Sequence, residues 1–316
     1  MRANISYPIG SPGQCWGEPE RAEWRARQKR HRSYDQDVVK RIDALGDRYV
    51  RIDYGKLSYG EDVYPLHAVR SHEIDPSLPT ALITGGVHGY ETSGVAGALD
   101  FLERHADDFA GKVNLLVVPC VSPWAYEHIS RWNPETIDPN RSFRADGLAK
   151  ESSALVELVR SVADGYLLHI DLHETTDSDE TEFRPALSAR DGESFEPGEV
   201  PDGFYLVADA ADPQLGFQRA IIAAVAKITR IAPADSAGEI IGSPIIANGV
   251  IAYPMTELGL CGAISGARFV TTTEIYPDAP DSTAELSVEA QVTAICAALN
   301  FVLSPKERGE GGGPLS

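Results

Sequence analysis

The chain has 316 residues, 43% of them hydrophobic and 24% charged, with 28 basic against 47 acidic side chains and a net charge of −19. That length can bury a substantial core in one large domain or two small ones, and the composition is that of an ordinary globular protein. The acidity argues against nucleic acid as a partner. No run of about 18 apolar residues reads as a membrane span. Cys15, Cys120, Cys261 and Cys296 are far apart and form no C-x-x-C pair, so neither a disulfide framework nor a thiolate zinc site is expected; buried free thiols are.

Residues 1–33 read as an N-terminal extension. Its polar start lacks the apolar core of a signal peptide, which makes the cytoplasm the expected compartment. Arg21, Arg25, Arg27, Lys29, Arg30 and Arg32 alternate with Glu and Trp at helical spacing, the pattern of a solvated helix face. Apolar residues at periods of three and four predict a helix over 34–48. Strands are expected at 49–54 and 64–69, joined by a turn at 59–62. The continuous apolar run 80–85 reads as a buried strand ending in glycines, followed by a helix over 93–105. Next come a strand at 113–119, a helix at 154–162 and a central strand at 166–172. Residues 188–202 read as a surface loop. Strands at 203–208, 250–253 and 269–275, with helices at 214–228 and 285–303, complete the domain. The glycine-rich residues 304–316 form a tail expected to be disordered.

Strands alternating with helices, without an internal repeat or linker, predict one α/β domain over 34–303. Its architecture is expected to be three-layer α/β/α around a mixed, mostly parallel sheet.

Gly85-Gly86-Val87-His88-Gly89-Tyr90-Glu91 follows a buried strand directly, and in open α/β sheets ligands gather at the carboxyl ends of strands. A histidine and a glutamate three apart can turn toward one ion on a single helical turn, and the glycines let the backbone bend and approach a substrate. His173, at the end of the strand 166–172, is the candidate third ligand. His169 and Asp171 share its face, and His169 reads as a core histidine. Two imidazoles and one carboxylate suit one zinc ion with a position left open for water, and they suit calcium or magnesium poorly.

His88-Gly89-Tyr90-Glu91, Asp138-Pro139-Asn140-Arg141 and His173 together resemble the zinc carboxypeptidases of the M14 type. Supporting stretches are Tyr54 to Glu61, Ser122 to Tyr126, Arg131-Trp132-Asn133 and Lys150 to Leu155, so the resemblance spans about residues 34–303. It implies that Asn140 and Arg141 grip a substrate carboxylate, as a bidentate guanidinium can. It implies that Arg131 polarises the scissile carbonyl, and that Asp138 orients His88 through its other ring nitrogen, with an Asx-type turn before Pro139 as the alternative. Tyr253 would fold over the bound substrate. Glu274, a lone carboxylate in a β-rich run, is the expected general base, with Glu257 as its rival. The acidic run 174–182 departs from the family pattern and reads as a solvated loop, or else as a selector for a cationic substrate.

The function implied is a metallocarboxypeptidase acting on a small molecule or short peptide with a free carboxylate, without nucleic acid or membrane as partner. The related succinylglutamate desuccinylase/aspartoacylase group, which deacylates N-acyl amino acids, is the alternative. The Asp171-Leu172-His173 element and the 82 residues from Glu91 to His173 suit that group. It continues for a sizeable domain beyond its glutamate, whereas 42 residues follow Glu274, which favours the peptidase reading. A non-catalytic binding protein on the same scaffold is the third possibility.

Overall fold

The computed structural model describes residues 7–304, so the tail beyond Ser304 lies outside the described residues. The elements in chain order are α1 (Glu18–Arg27), α2 (Lys40–Ala44), β1 (Tyr49–Tyr59), β2 (Asp62–Ser71), β3 (Thr80–Gly85), α3 (Thr92–Arg104), β4 (Asn114–Val118), α4 (Pro123–His128) and α5 (Lys150–Val162). There follow β5 (Leu168–Glu174), α6 (Arg184–Asp191), β6 (Phe204–Asp209), α7 (Leu215–Val225), β7 (Glu239–Ile240), β8 (Ser243–Pro244), β9 (Val250–Tyr253), α8 (Met255–Leu258), β10 (Phe269–Ile275) and α9 (Ala284–Val302).

Eight strands form one sheet in the order β1-β2-β4-β3-β5-β10-β6-β9, with β7 and β8 forming a separate hairpin. The pairs β3–β4, β3–β5, β5–β10 and β6–β9 are parallel, and β1–β2, β2–β4 and β6–β10 are antiparallel. The sheet is therefore mixed and mostly parallel at its centre, as the alternation of elements predicts.

Both faces are covered because successive side chains on a strand point to opposite sides. Ala81 and Ile83 of β3 join the core that contains Leu99 of α3 and Ile295 of α9. Leu82, between them, packs instead with Leu155 and Leu158 of α5. Three layers result. α9 is long and apolar enough to cross a membrane by composition alone, but in this fold it packs on α3 and α7 behind the sheet.

Local departures from expectation have local causes. The predicted helix 34–48 is divided into a π-helical turn (Asp35–Val39), α2 and a 3-10 turn (Gly46–Arg48). The predicted loop 188–202 starts only after α6, which ends on the left-handed Gly192. The basic cluster is a solvated face only in part: Arg25, Arg27, Lys29 and Arg30 are exposed, but several members bond across to the domain. Arg21 donates to the Glu135 carbonyl and Thr136 hydroxyl, Arg30 pairs with Glu127 at 2.7 Å, and Arg32 donates to the Gly89 carbonyl at 3.1 Å. These bonds and a cluster of all four tryptophans, Trp16, Trp24, Trp124 and Trp132, fasten residues 7–33 to the domain. Among the cysteines Cys120 and Cys261 are buried, Cys296 is intermediate and Cys15 is exposed, so the expectation of buried thiols fails at Cys15.

Candidate active site

A cleft of about 860 Å³ opens at the carboxyl ends of β3, β5 and β10, and His88, Glu91, Arg131, Asn140, Arg141 and Glu274 all line it. The volume is within the range of small-ligand sites. Its floor follows from strand register. On β5, Leu168, Ile170 and Leu172 face the helical core, which turns His169, Asp171 and His173 to the other side. β10 runs parallel to β5 with Glu274 opposite His173, so the carboxylate and the imidazole emerge side by side.

His88 and Glu91 do not share a helical turn, contrary to the expectation from their spacing; both precede α3, whose first residue is Thr92. The loop they occupy is tight. A Cβ on Gly89 would lie 1.9 Å from the Ala125 carbonyl carbon and 2.0 Å from the Tyr126 nitrogen. Because those are backbone atoms, Gly89→Ala is expected to destabilise the fold by about 3 kcal/mol or more, measurable by chemical denaturation. Glu174 braces the same loop: its carboxylate accepts the N–H groups of Thr92 and Ser93 at 3.1 and 2.7 Å, the favoured place for an anion on a helix.

The donor atoms converge. Nδ1 of His88 lies 2.7 Å from Glu91 Oε1, and Nδ1 of His173 lies 2.7 Å from Glu91 Oε2. One ligand atom from each residue falls within 4.8 Å of the others, and all three side chains are buried. The opposite ring nitrogens are both turned onto carboxylates, His88 Nε2 to Asp138 at 3.1 Å and His173 Nε2 to Asp171 at 2.8 Å. That is the arrangement in which metal-binding histidines are found, with the outer carboxylate fixing ring and tautomer. The trio can therefore hold a metal ion. Burial opposes the charge on Glu91, but the two histidines hold its carboxyl far below the usual range.

Asp138 does both jobs that its position suggests. Oδ1 accepts the Asn140 N–H at 2.8 Å as an Asx turn and also faces His88, while Oδ2 accepts Arg131 Nε at 3.0 Å. Arg131 NH1 further meets the Tyr90 hydroxyl at 3.1 Å and Asp179 at 3.3 Å. The acidic run 174–182 is thus neither a solvated loop nor, at Glu174 and Asp179, a free cation selector. Both are buried, one supporting α3 and the other holding Arg131.

The Asn140 side-chain oxygen accepts the Cys261 N–H at 2.8 Å, leaving its amide nitrogen to donate elsewhere. Arg141 NH1 bonds the Asn140 carbonyl at 2.8 Å. Among the described residues Arg141 has no carboxylate in ion-pair range, unlike Arg131. Tyr253 ends β9 and lines the cleft half-buried, while Glu257 is exposed on α8 outside it. Glu274 Oε2 accepts the Thr175 hydroxyl at 2.9 Å, and that hydroxyl also meets Tyr205 OH at 2.8 Å. Burial lifts the Glu274 carboxyl to about 8, against the pull of His173.

Sequence reasoning assigns no part to Thr84, Thr175, Asp179 or Tyr205. Thr84 donates to Asp171 at 2.5 Å and lies 3.1 Å from His169 Nε2. His169, Asp171 and Cys261 form a second trio with metal-ligating atoms, but the Thr84 hydroxyl sits among them and fills the place of an ion. Burial lowers His169 to about 4, so it stands neutral in the core.

Residues 77–194 match the family model of the succinylglutamate desuccinylase/aspartoacylase catalytic domain. Among solved structures the chain is similar to a candidate metallopeptidase from Shewanella denitrificans OS217 (19% identity, 85% of this chain and 88% of that one, TM-score 0.63). A second, from Shewanella amazonensis SB2B, gives 22% identity, 86% and 92% coverage and a TM-score of 0.63. A metallo-carboxypeptidase from Pseudomonas aeruginosa, in complex with (2-guanidinoethylmercapto)succinic acid, shares the fold at 15% identity, 84% and 68% coverage and a TM-score of 0.56. No curated protein matches the chain. The fold is carboxypeptidase-like, with a mixed, mostly parallel eight-stranded sheet between helices. The family match covers a little over a third of the chain, and the likeness to the metallopeptidase structures is one of fold.

Proposed function

We propose that the protein is a zinc-dependent amide hydrolase acting beside a free carboxylate, in the manner of a metallocarboxypeptidase on a small peptide. The observation that carries the reading is one cleft lined by His88 and Glu91, with His173 against Glu91 completing the metal-ligating trio, and by Arg141, a guanidinium with no carboxylate in ion-pair range among the described residues. Two histidines and one carboxylate form the ligand set of catalytic zinc sites; when bound, the ion supplies a Lewis acid that makes water nucleophilic near neutral pH.

The chain's own groups divide the remaining work. Arg141 and the amide nitrogen of Asn140 bind the substrate carboxylate and set the scissile amide in register. Arg131 is locked by Asp138 and Asp179 through Nε and NH1, so NH2 is the nitrogen left to face the carbonyl oxygen and stabilise charge developing there. Oε2 of Glu274 is occupied by Thr175, so Oε1 accepts the proton from water and returns it to the leaving nitrogen. Tyr253 closes the mouth over the bound molecule.

Arg141→Ala is expected to lower kcat/KM by about 10²- to 10³-fold, mostly through KM, because a charged carboxylate loses its bidentate partner. Steady-state kinetics on a substrate with a free carboxylate checks this; unchanged KM would remove Arg141 from the reading. Deacylation of N-acyl amino acids is the second reading, favoured by the family match over residues 77–194. A hydrolysis screen of free peptides, C-terminally amidated peptides and N-acyl amino acids separates the two. Cleavage of free but not amidated peptides supports the peptidase, and cleavage of N-acyl amino acids alone supports the deacylase.

A further inference from the structure

The β7–β8 hairpin turns through Ile241 and Gly242, with Ile240 paired to Ser243 on either side. Both turn residues have positive φ, 50° and 73°. A two-residue turn of this kind favours Asn-Gly or Gly-Gly, because a side chain branched at Cβ collides with the backbone in the left-handed region. Isoleucine is among the residues least suited to it. The other β-branched residues with positive φ, Ile129 and Thr136, are tied down through their N–H groups to the Tyr126 and Asn133 carbonyls. Ile241 makes no such bond among the described residues, and its side chain is 37% exposed.

Local energetics therefore do not explain the isoleucine, and strain of this kind gathers where function requires it. Ile241 lines the same cleft as His88 and Glu91, together with Leu148 and Leu187, exposed by 72% and 39%. The floor of that cleft is buried and polar; its exposed rim carries these three large apolar side chains. Arginines also reach the rim, but Arg144 is paired with Asp146, Arg184 with Glu180 and Arg190 with Asp191. Arg21 lines it as well and donates to the Glu135 carbonyl and the Thr136 hydroxyl, so the mouth offers a ligand apolar surface beside cations that already have partners.

We propose that Ile241 is a specificity-determining residue, held in a strained turn to meet an apolar group that the substrate carries at the cleft mouth. The inference rests on the reading of the floor as the site for a carboxylate and a scissile amide. It names the substrate class more closely: amides with a free carboxylate and an alkyl or aryl group placed beyond the reacting bond.

The test uses N-acetylglycine and N-hexanoylglycine, which share the carboxylate and amide and differ by four methylenes. Binding to the zinc-loaded Glu274→Gln protein, measured by titration calorimetry, avoids turnover. The hexanoyl compound is expected to bind about 10-fold tighter, which requires fewer than two of the added methylenes to leave water. Adding Ile241→Asn is expected to shrink that preference to about 2-fold or less, with the acetyl compound unaffected. Asparagine suits the turn, so the unfolding midpoint of Ile241→Asn should equal or exceed that of the parent. No preference in the parent, or a preference that survives Ile241→Asn, overturns the proposal, as does equal loss of both ligands. Absence of turnover of either compound by the zinc-loaded protein with Glu274 intact would contradict deacylation instead, and the binding ratio would still decide the part played by Ile241.

Discussion

Glu274→Gln is expected to lower kcat by about 10²- to 10⁴-fold, the usual span for loss of a general base, while metal content stays the same. Two features make the expectation specific. Glu274 is opposite His173 in the β5–β10 register, close to the metal trio but outside it, so replacing its carboxyl should not release the ion. The amide of glutamine keeps an oxygen for the Thr175 hydroxyl, which now bonds Oε2, so the side chain should hold its place. Metal analysis and steady-state kinetics on the same preparation check both halves. Full activity would remove Glu274 from the mechanism; the rival Glu257, exposed on α8, would then need a large movement to reach the cleft.

His173→Ala is expected to abolish both metal binding and activity. With one imidazole gone, two ligands remain, and structural or catalytic zinc sites rarely persist on two. The substitution also strips Asp171 and Glu91 of a shared partner at 2.8 and 2.7 Å. Leaving buried carboxylates without that partner should cost stability as well, by about 3 kcal/mol, the low end for breaking a buried ion pair. Elemental analysis, activity and denaturant unfolding report the three effects. The less damaging Asp171→Asn should keep the fold and weaken metal affinity by about 10- to 100-fold, the usual consequence of losing the carboxylate behind a metal histidine.

Much of the fold is legible in the sequence because several strands are short runs of apolar and β-branched residues. β3, β9 and β10 begin and end where the hydrophobic pattern does. The first hairpin is less legible: β1 and β2 extend past their apolar stretches because hairpin pairing, not burial, carries them to the turn at Gly60. The metal trio is legible for a related reason, since each member sits at or just beyond the end of a readable strand.

What the sequence hides is mostly partnership across distance. Thr175 reaches Glu274, Tyr205 reaches Thr175, and Thr84 reaches Asp171 because strand register, parallel for β3–β5 and β5–β10 and antiparallel for β6–β10, aligns residues some 30 to 100 positions apart. The acidic run misleads because composition records its charge but not its path: Asp179 turns inward to Arg131, while Asp177 and Thr181 stay exposed. The arginines of residues 21–32 mislead in the same way, as the pattern of an amphipathic helix does not say whether its polar face meets water or backbone carbonyls. Here Arg25, Arg21 and, beyond the helix, Arg32 meet the carbonyls of Pro134, Glu135 and Gly89, while Arg27 and Lys29 stay exposed. Ile241 is the reverse case, a residue unremarkable in sequence whose oddity appears only with its backbone angle.

The proposed function requires one ion, held by His88, Glu91 and His173, for hydrolysis. Zinc titrated into chelator-stripped protein, with hydrolysis of a carboxylate-bearing amide followed at each addition, tests it most directly. Activity should rise from near zero in proportion to added zinc and level off at one equivalent. Activity in the stripped protein, or a plateau that requires two equivalents, would contradict the account.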